Sequence, residues 1–456
     1  MTTSDKVDRV FVWTWLPGRS EPVVAGAVQR AGTRFIFNYA SSYLARDDRI
    51  SLYTPELPLR SGSIEPLSEL DLAGCLRDGT PDAWGRRVIE SELGVEEESL
   101  SELEYMLQSG SNRFGALDFQ ESPTKYRPRN DNASLDELHE AAQRLQAGIP
   151  LSASMDSALL HGTSIGGARP KVLVEDEHGI QWIAKLSSTS DQVFSVINAE
   201  GAAMELSRRA GIETSHTEVS ESLGRDILLV RRFDRTRDGG RHHAVSALTM
   251  SGEGEMGARY VTYPSVLEAL REYSPEPAET AHALFERIAF NIAVGNSDDH
   301  ARNHAAFWNG KSLSLTPAYD LAPGGRTGDS ATQAMAFDPD GKVKVSNFQA
   351  LVECAKHYDL NESDARASVD HIVESIRDNW VEVADLARVN QKDREHLWGR
   401  QFLNPAAFYD YSTHKATGRS KSGGIRRKDR GIPGNGGKFA HQERTESSEP
   451  LADPTL

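Results

Sequence analysis

The chain has 456 residues, of which 38% are hydrophobic and 26% charged, and its 51 Lys and Arg residues against 67 Asp and Glu give a formal net charge of −16. This composition excludes a collagen and a wholly disordered chain, and no uncharged apolar run reaches the roughly 18 residues that a membrane span needs. The length predicts two or three packed domains of about 100 to 200 residues each. The acidic balance argues against broad nucleic-acid affinity for the body of the protein.

The cysteine content and the N-terminus indicate the compartment. Cys75 and Cys354 are the only cysteines in the sequence, too few for a disulfide framework or a Cys-based zinc site. The first nine residues mix acidic and basic side chains where a signal peptide would have an apolar core. We therefore expect a cytoplasmic protein without membrane contact.

The first part of the chain predicts a β-containing unit followed by a helix. Aromatic residues alternate with smaller ones between residues 11 and 60, with Gly and Pro between the runs, which is typical of antiparallel strands. Thr80-Pro81-Asp82 predicts a helix start, with Thr80 capping the free N–H groups. A polar loop after residue 120 places the first boundary near residue 125, so that residues 1–125 form an N-terminal subdomain.

The next part of the chain predicts a small lobe at residues 126–250. Two apolar runs separated by a polar turn that ends in Gly179 predict a hairpin up to Leu186. A helix over about 198–210 and a buried strand over 227–230 follow. From Tyr263 the apolar spacing becomes helical, which predicts a helical lobe at residues 251–411.

The remaining residues, 412–456, form a basic tail. Eight basic residues and one acidic residue lie between Lys415 and Lys438, among Gly and Ser, a composition typical of disorder. The tail is either merely solvated or a contact for nucleic acid or a partner, and its charge also allows it to fold back on the acidic body.

The strongest local motif lies at Asp298 and Asn303, after an apolar helix. Their separation of five residues is the spacing in which phosphotransferases place a base near the substrate hydroxyl and an amide on a metal ion. A hairpin is predicted next, with Asn309-Gly310 as its turn, and Tyr319-Asp320 follows. Protein kinases present their catalytic loop and second metal-binding Asp in this order.

Two other interpretations of this motif stay open. Asp298, Asp299, His300 and His304 together fit a metal site of a hydrolase, since carboxylate and imidazole groups both bind Zn or Mn. Alternatively, Asp298 caps a helix and Asn303 satisfies a loop. The residues upstream favour phosphoryl transfer.

Those upstream residues follow kinase order. The small residues between Ser164 and Lys171 would let backbone N–H groups approach phosphate oxygens. Lys185 lies within an apolar strand, which is costly unless an anion pairs with it. Glu200 on the next helix is placed to be that anion, or is an exposed first-turn residue. The stretch from Arg231 to Phe233 leaves the buried strand where a kinase hinge would bind adenine.

Together these motifs resemble the HipA family, the kinase toxins of bacterial toxin–antitoxin pairs, over roughly residues 10 to 405. The matching motifs are Pro81-Asp82-x-Trp84-Gly85-Arg86-Arg87, Gly115-Ala116-Leu117 before Phe119, Ser164-x-Gly166-Gly167-Ala168-Arg169-Pro170-Lys171, Arg232-Phe233-Asp234-Arg235, Asp298-x-His300-Ala301-Arg302-Asn303 and Tyr319-Asp320. The resemblance implies an α+β, two-lobed protein-kinase-like fold with an N-terminal β-containing subdomain and a mainly helical C-terminal lobe.

The resemblance also implies ATP-dependent phosphorylation of Ser or Thr in a protein substrate. Asp298 would be the base, Asn303 and Asp320 would bind Mg²⁺, and Lys185 would contact the phosphates. Autophosphorylation at Ser164 would pull the Gly-rich loop out of the ATP site and switch the enzyme off, because the added charges repel the nucleotide phosphates. The other implied ATP contacts are Gly166, Gly167, Ala168, Arg169, Pro170, Lys171, Arg231, Arg232, Phe233, His300, Ala301, Arg302 and Tyr319.

The expected partners follow from the same resemblance. The usual partner is a small helix-turn-helix antitoxin, through which operator DNA is bound, and the toxin can dimerise within that complex. Some family members phosphorylate glutamyl-tRNA synthetase and so block translation. This sequence departs from the family at Ser246-Ala247-Leu248-Thr249, where members commonly carry Gln-Glu-Asp, and it has His300 where eukaryotic kinases have Lys. A catalytically idle module that binds antitoxin and DNA, and a small-molecule or lipid kinase, stay open as alternatives.

Overall fold

The computed structural model describes residues 7–67, 70–129, 171–186, 193–222, 224–324 and 331–413. The predicted phosphate-binding loop at residues 164–170 and residues 414–456 of the basic tail lie outside these described residues. Sheets and helices alternate along the described chain, so the fold is of the α+β class.

The N-terminal part folds as an antiparallel sheet of four strands in the order β3-β2-β1-β4. Val10 and Val12 are fully buried, so the small aliphatic side chains of the first strand face the core, and Phe11 between them is half-buried. The sheet is completed by β4, which begins 78 residues after the end of β3 and follows four helices. The strands are β1 (Arg9–Trp15), β2 (Pro22–Ala31), β3 (Arg34–Tyr39) and β4 (Leu117–Gln120).

The four helices between β3 and β4 are α1 (Ser41–Leu44), α2 (Gly74–Arg77), α3 (Ala83–Leu93) and α4 (Glu102–Gln108). The predicted helix after Thr80 is present, but the prediction that Thr80 caps it is wrong. Asp82 is the N-cap, its carboxylate accepting a hydrogen bond from Gly85 N at 2.8 Å. The Thr80 hydroxyl instead donates to Arg77 O at 2.7 Å, which ends the preceding turn.

A second antiparallel sheet has the strand order β5-β6-β8-β7. Its strands are β5 (Lys171–Glu175), β6 (Gln181–Leu186), β7 (Thr217–Ser222) and β8 (Arg225–Arg231). The predicted hairpin is β5 and β6, and it places Lys171 directly opposite Lys185. Helix α5 (Val196–Arg209) packs against β7 and β8, and Ser195 caps it.

The third sheet joins distant parts of the chain in the order β11-β10-β9. Strands β10 (Ala305–Trp308) and β11 (Leu313–Leu315) form the predicted hairpin, and β9 (Ala244–Ser246) pairs with β10. The helices of this region are α6 (Ala247–Met250), α7 (Tyr263–Tyr273), α8 (Pro277–Val294), α9 (Phe348–Glu353), α10 (Glu362–Leu386) and α11 (Gln391–Leu397), with short 3-10 helices at Ala258–Tyr260, Ala301–Asn303, Ala355–Tyr358 and Pro405–Phe408.

One cluster of buried apolar side chains extends from the N-terminal sheet into the helical region. Cys75 and Cys354 are both free and buried. No helix among the described residues has the length and apolar character to cross a bilayer. The boundaries expected near residues 125, 250 and 411 stay predictions.

Candidate active site

Three charged side chains from a strand, a helix and a loop form a cluster, with Lys185 at its centre. Lys185 lies on β6, and the residues directly before and after it on this strand are buried. Lys185 Nζ donates hydrogen bonds to Glu200 on α5 and to Asp320. Lys185 and Glu200 are both almost fully buried, whereas the Asp320 side chain is 31% exposed. A buried ammonium needs compensating anions, and here it has two.

The electrostatics of this cluster follow from burial and proximity. Burial lowers the pKa of Lys185, but the Asp320 and Glu200 carboxylates outweigh burial and hold the pKa above its usual range. Burial raises the pKa of Asp320, but the Lys185 and Lys171 ammonium groups outweigh burial and hold the pKa well below its usual range. Burial raises the pKa of Glu200, against the attraction of Lys185. Asp320 is therefore the carboxylate that stays ionised most readily.

Lys171 is the second cation of the cluster. It begins β5 opposite Lys185, so two cationic side chains lie side by side on adjacent strands. Burial lowers the pKa of Lys171, and the nearby Lys185 charge adds to that effect while Asp320 opposes it. The cluster therefore combines two lysines, Lys171 and Lys185, with two carboxylates, Glu200 and Asp320.

Asp320 lies on a backbone of unusual conformation. Its φ of +59° is in the left-handed region, which a residue other than Gly seldom adopts. The Asp320 carbonyl oxygen lies 3.4 Å from Asn296 Nδ2, and the Tyr319 hydroxyl donates to Arg302 O at 2.8 Å. The segment that carries Asp320 is thus joined to the loop after α8.

That loop begins where Gly295 ends α8 with a φ of +71°. Asp298 follows and is exposed, whereas Ala301 is buried. Asn303 Nδ2 donates to Asp298 O at 3.1 Å, so the two residues of the predicted motif are joined through the backbone. Arg302 is exposed, and its guanidinium pairs with Glu255. His300 lies at the start of the 3-10 helix, with Nδ1 buried and without a hydrogen-bond partner among the described residues.

The other Asp and His residues of the motif face inward. Asp299 is buried and accepts a hydrogen bond from His304 Nε2 at 2.9 Å. Within the described residues, no group of three or more His, Cys, Asp or Glu side chains is arranged to hold a metal ion. The hydrolase alternative therefore has no support from Asp299 and His304, because they are bonded to each other within the core.

The predicted hinge lies at the end of β8. Arg231 N donates to His216 O at 2.8 Å, and Arg232 N donates to Gln181 O at 2.9 Å. The Arg232 guanidinium is engaged inside the protein, with Asp234 at 2.7 Å among its partners, so it is not directed at a ligand. The Phe233 ring contacts Tyr319 with centroids 5.6 Å apart, which links the hinge to the Asp320 segment.

The remaining predicted site residues, Ser164, Gly166, Gly167, Ala168, Arg169 and Pro170, lie outside the described residues. Lys171 is the residue at which the described chain resumes, on the strand that also faces Lys185.

The oxygen donors of Asp320 and Asn303 are of the kind that suits a hard divalent cation. Asp320 supplies a carboxylate of lowered pKa, and Asn303 directs its amide nitrogen to Asp298 O, which leaves the amide oxygen as the group for a cation. Oxygen ligands of this kind are the ones that Mg²⁺ prefers.

The sequence analysis did not identify the buried polar side chains that hold the loop of Asp298 and Asp299 in place. Asn291 Nδ2 donates to Asp299 at 2.7 Å, and Asn296 Nδ2 donates to Asn291 Oδ1 at 2.9 Å. Asn291 is fully buried within the apolar helix α8. A polar residue on the apolar face of a helix was the one signal that could have revealed this role.

Comparison with known proteins agrees with this geometry. The family model described as the HipA N-terminal domain matches residues 19–120, and the HipA-like C-terminal domain matches residues 163–380, together more than two thirds of the chain. The protein named "Putative kinase Y4mE" from Sinorhizobium fredii is 24% identical over 314 residues, which cover 62% of this chain and 71% of that protein.

Solved structures show the fold. HipA from Shewanella oneidensis, in a complex with HipB and operator DNA, superposes with a TM-score of 0.66 at 17% identity, covering 85% of this chain and 95% of that one. The proinflammatory kinase CtkA from Helicobacter pylori gives a TM-score of 0.35 at 12% identity, covering 54% of this chain and 92% of that one. The expected two-lobed, kinase-like α+β fold is confirmed, and the chain belongs to the HipA family of kinases.

Proposed function

We propose that this protein is an ATP- and Mg²⁺-dependent serine/threonine protein kinase that acts as the toxin of a toxin–antitoxin module. The observation that carries the proposal is the Lys185 cluster, in which Glu200 and Asp320 compensate a buried ammonium next to the loop of Asp298 and Asn303. The family membership supports phosphoryl transfer over the idle module.

The proposed roles follow from chemistry and position. Lys185 and Lys171 would neutralise nucleotide phosphates, with Glu200 holding Lys185 in place. Asp298 is exposed and would accept the proton of the substrate hydroxyl. Asn303 and Asp320 would hold Mg²⁺, which when bound supplies positive charge to the transferring phosphoryl group.

The nucleotide would extend from the hinge to the loop at residues 300–302. Backbone groups near Arg231 and Phe233 would face adenine, while the Arg232 side chain serves the protein interior. Tyr319 packs on Phe233 and would border the base. Residues Gly166 to Pro170 would cover the phosphates, and Ser164 would be the site of an inactivating autophosphorylation.

The proposed partners are a protein substrate and a separate helix-turn-helix antitoxin that carries the main DNA contacts. The structural relative from Shewanella oneidensis was solved with HipB and operator DNA, which supports a partner of that kind. A translation factor such as an aminoacyl-tRNA synthetase is the substrate class that we propose.

Label transfer tests the proposed chemistry. The purified chain is incubated with γ-labelled ATP, Mg²⁺ and a phosphatase-treated bacterial lysate, and labelled proteins are hydrolysed to amino acids. We expect labelled phosphoserine or phosphothreonine with the wild type and none with Asp298→Asn. Label confined to small molecules would contradict a protein kinase and support a small-molecule kinase.

A further inference from the structure

Asp299 follows the proposed base directly and is oriented inward. It is 1% exposed, whereas its neighbour Asp298 is exposed. Burying a carboxylate destabilises the fold unless several hydrogen-bond donors compensate its charge. The donors that contact Asp299 therefore indicate its role.

Three donors converge on one oxygen of that carboxylate. Asp299 Oδ2 accepts hydrogen bonds from Tyr263 Oη at 2.6 Å, from Asn291 Nδ2 at 2.7 Å and from His304 Nε2 at 2.9 Å. These donors come from the start of α7, from the last turn of α8 and from the residue before β10. The carboxylate therefore fixes the loop against three separate elements.

The same network reaches the segment that carries Asp320. Asn291 Oδ1 accepts a hydrogen bond from Asn296 Nδ2 at 2.9 Å, and that nitrogen lies 3.4 Å from the Asp320 carbonyl oxygen. The backbone adds a parallel link, because Gly324 N donates to Gly295 O at 3.1 Å. Asp299 is thus bonded, through two asparagines, to the backbone of the proposed metal ligand.

We propose that Asp299 is a positioning residue, which holds Asp298 at a fixed place relative to Asp320 through Tyr263, Asn291 and Asn296. The inference rests on the proposed kinase function. It states that the relative position of Asp298 and Asp320 is set by residues that do not contact the substrate. A misplacement of about 1 Å costs an enzyme up to about a hundredfold in rate, so the network should act on turnover more than on nucleotide affinity.

Tyr263→Phe tests this, with Tyr358→Phe as the matched control. Both hydroxyls are fully buried, and each donates a hydrogen bond within the described part of the chain: Tyr263 to Asp299, and Tyr358 to Phe337 O at 3.0 Å. ADP formation is measured against ATP concentration with Mg²⁺, with phosphatase-treated lysate protein as the phosphoryl acceptor and the same lysate without the kinase as the blank. The melting temperature of each purified variant is measured in parallel. We expect similar melting temperatures for the two variants, a kcat about tenfold lower for Tyr263→Phe only, and an ATP KM within about twofold of wild type for both.

The outcomes separate this inference from the proposed function. A wild type that forms no ADP overturns the proposed function. An active wild type with equal kcat values in the two variants, or a loss that appears only in the ATP KM, overturns the positioning role. Asp299→Asn is a second test, provided that its melting temperature shows that the variant folds. We expect its kcat to be about a hundredfold below that of the wild type.

Discussion

At the scale of single residues, the site depends on how Lys185 is compensated. The sequence predicted that a lysine within an apolar strand needs an anion, and Glu200 was the predicted partner. The structure adds Asp320 as a second anion, which the sequence could not reveal because 135 residues separate the two. The roles of Asp298 and Asn303 were predicted from spacing. Asp299 had been considered only as part of an alternative metal site, because its burial cannot be seen in the sequence.

Lys185→Met should destabilise the fold as well as stop phosphoryl transfer. Removing the cation leaves two carboxylates close together, and breaking a buried ion pair costs about 3 to 5 kcal/mol. Without Lys185, burial would raise the pKa of both carboxyls, so the folded state would bind more protons than the unfolded state. We therefore expect the stability deficit at pH 7 to shrink as the pH falls towards 4.

Denaturant unfolding from pH 4 to pH 7 measures this deficit. Lys311→Met is the control, since Lys311 is exposed. A Lys185→Met variant with the wild-type unfolding midpoint at pH 7, or with a deficit that grows on acidification, contradicts the assigned charge balance.

At the scale of elements, Gly295 sets the direction in which the chain leaves α8. It has a φ of +71°, and an added Cβ would lie 2.8 Å from Gln401 O, so the turn is packed against the segment after α11. Gly94 ends α3 with a φ of +62° and has nothing within 4 Å of such a Cβ. Both glycines adopt a left-handed backbone conformation, but only Gly295 has neighbouring atoms that a Cβ would meet.

Gly295→Ala should therefore cost more than Gly94→Ala. Each substitution carries the left-handed penalty of about 1 kcal/mol, and only Gly295→Ala adds a clash with backbone. We expect a larger drop in melting temperature and a loss of turnover for Gly295→Ala, with turnover unchanged for Gly94→Ala. Equal effects of the two substitutions on melting temperature would contradict this prediction, because they would show that the Gln401 backbone moves to make room for the added methyl group.

The sequence predicted helices and strands correctly where residues close together in the chain determine them. The hairpins β5–β6 and β10–β11 and the helix α5 follow from apolar spacing and turn residues. The cap of α3 was assigned to Thr80 because Thr is a good cap in isolation, whereas the backbone places Asp82 there with a ψ of −175°. The pairing of β9 with β10 is nonlocal, so periodicity carries no information about it.

At the scale of the whole molecule, a buried charge network joins the predicted hinge at the end of β8 to the segment that precedes β4. Asp234 accepts hydrogen bonds from the Arg232 guanidinium at 2.7 Å, from Arg235 Nη1 at 3.0 Å and from Gly115 N at 2.7 Å. The motif Arg232-Phe233-Asp234-Arg235 was recognised in the sequence, but this linking role was not. Gly115, which Asp234 contacts, lies 119 residues earlier in the sequence, so the sequence pattern does not reveal this contact.

Asp234→Asn should weaken this junction in a pH-dependent way. Burial raises the pKa of Asp234, but Arg232 and Arg235 outweigh burial and hold the pKa well below its usual range. A carboxyl of depressed pKa contributes stability above its unfolded-state pKa of about 3.9, and that contribution is lost as the pH falls towards the folded-state pKa. We expect a lower melting temperature for Asp234→Asn at pH 7 and a difference from wild type that narrows below pH 4.

Melting temperatures of wild type, Asp234→Asn and the exposed-site control Asp47→Asn, measured from pH 7 down to pH 3, decide this. A difference that stays constant over the whole range would mean that the charge of Asp234 does not stabilise the junction.

The central claim is that this site transfers phosphate from ATP to a protein hydroxyl with Asp298 as the base. Intact mass after incubation with ATP and Mg²⁺, for wild type beside Asp298→Asn, tests it most directly. We expect the wild type to gain phosphate that maps to a serine or threonine, with Ser164 as the expected site, and Asp298→Asn to gain none although it still binds ATP. Phosphate gained by Asp298→Asn at the wild-type rate would contradict the proposed role of Asp298 as the base.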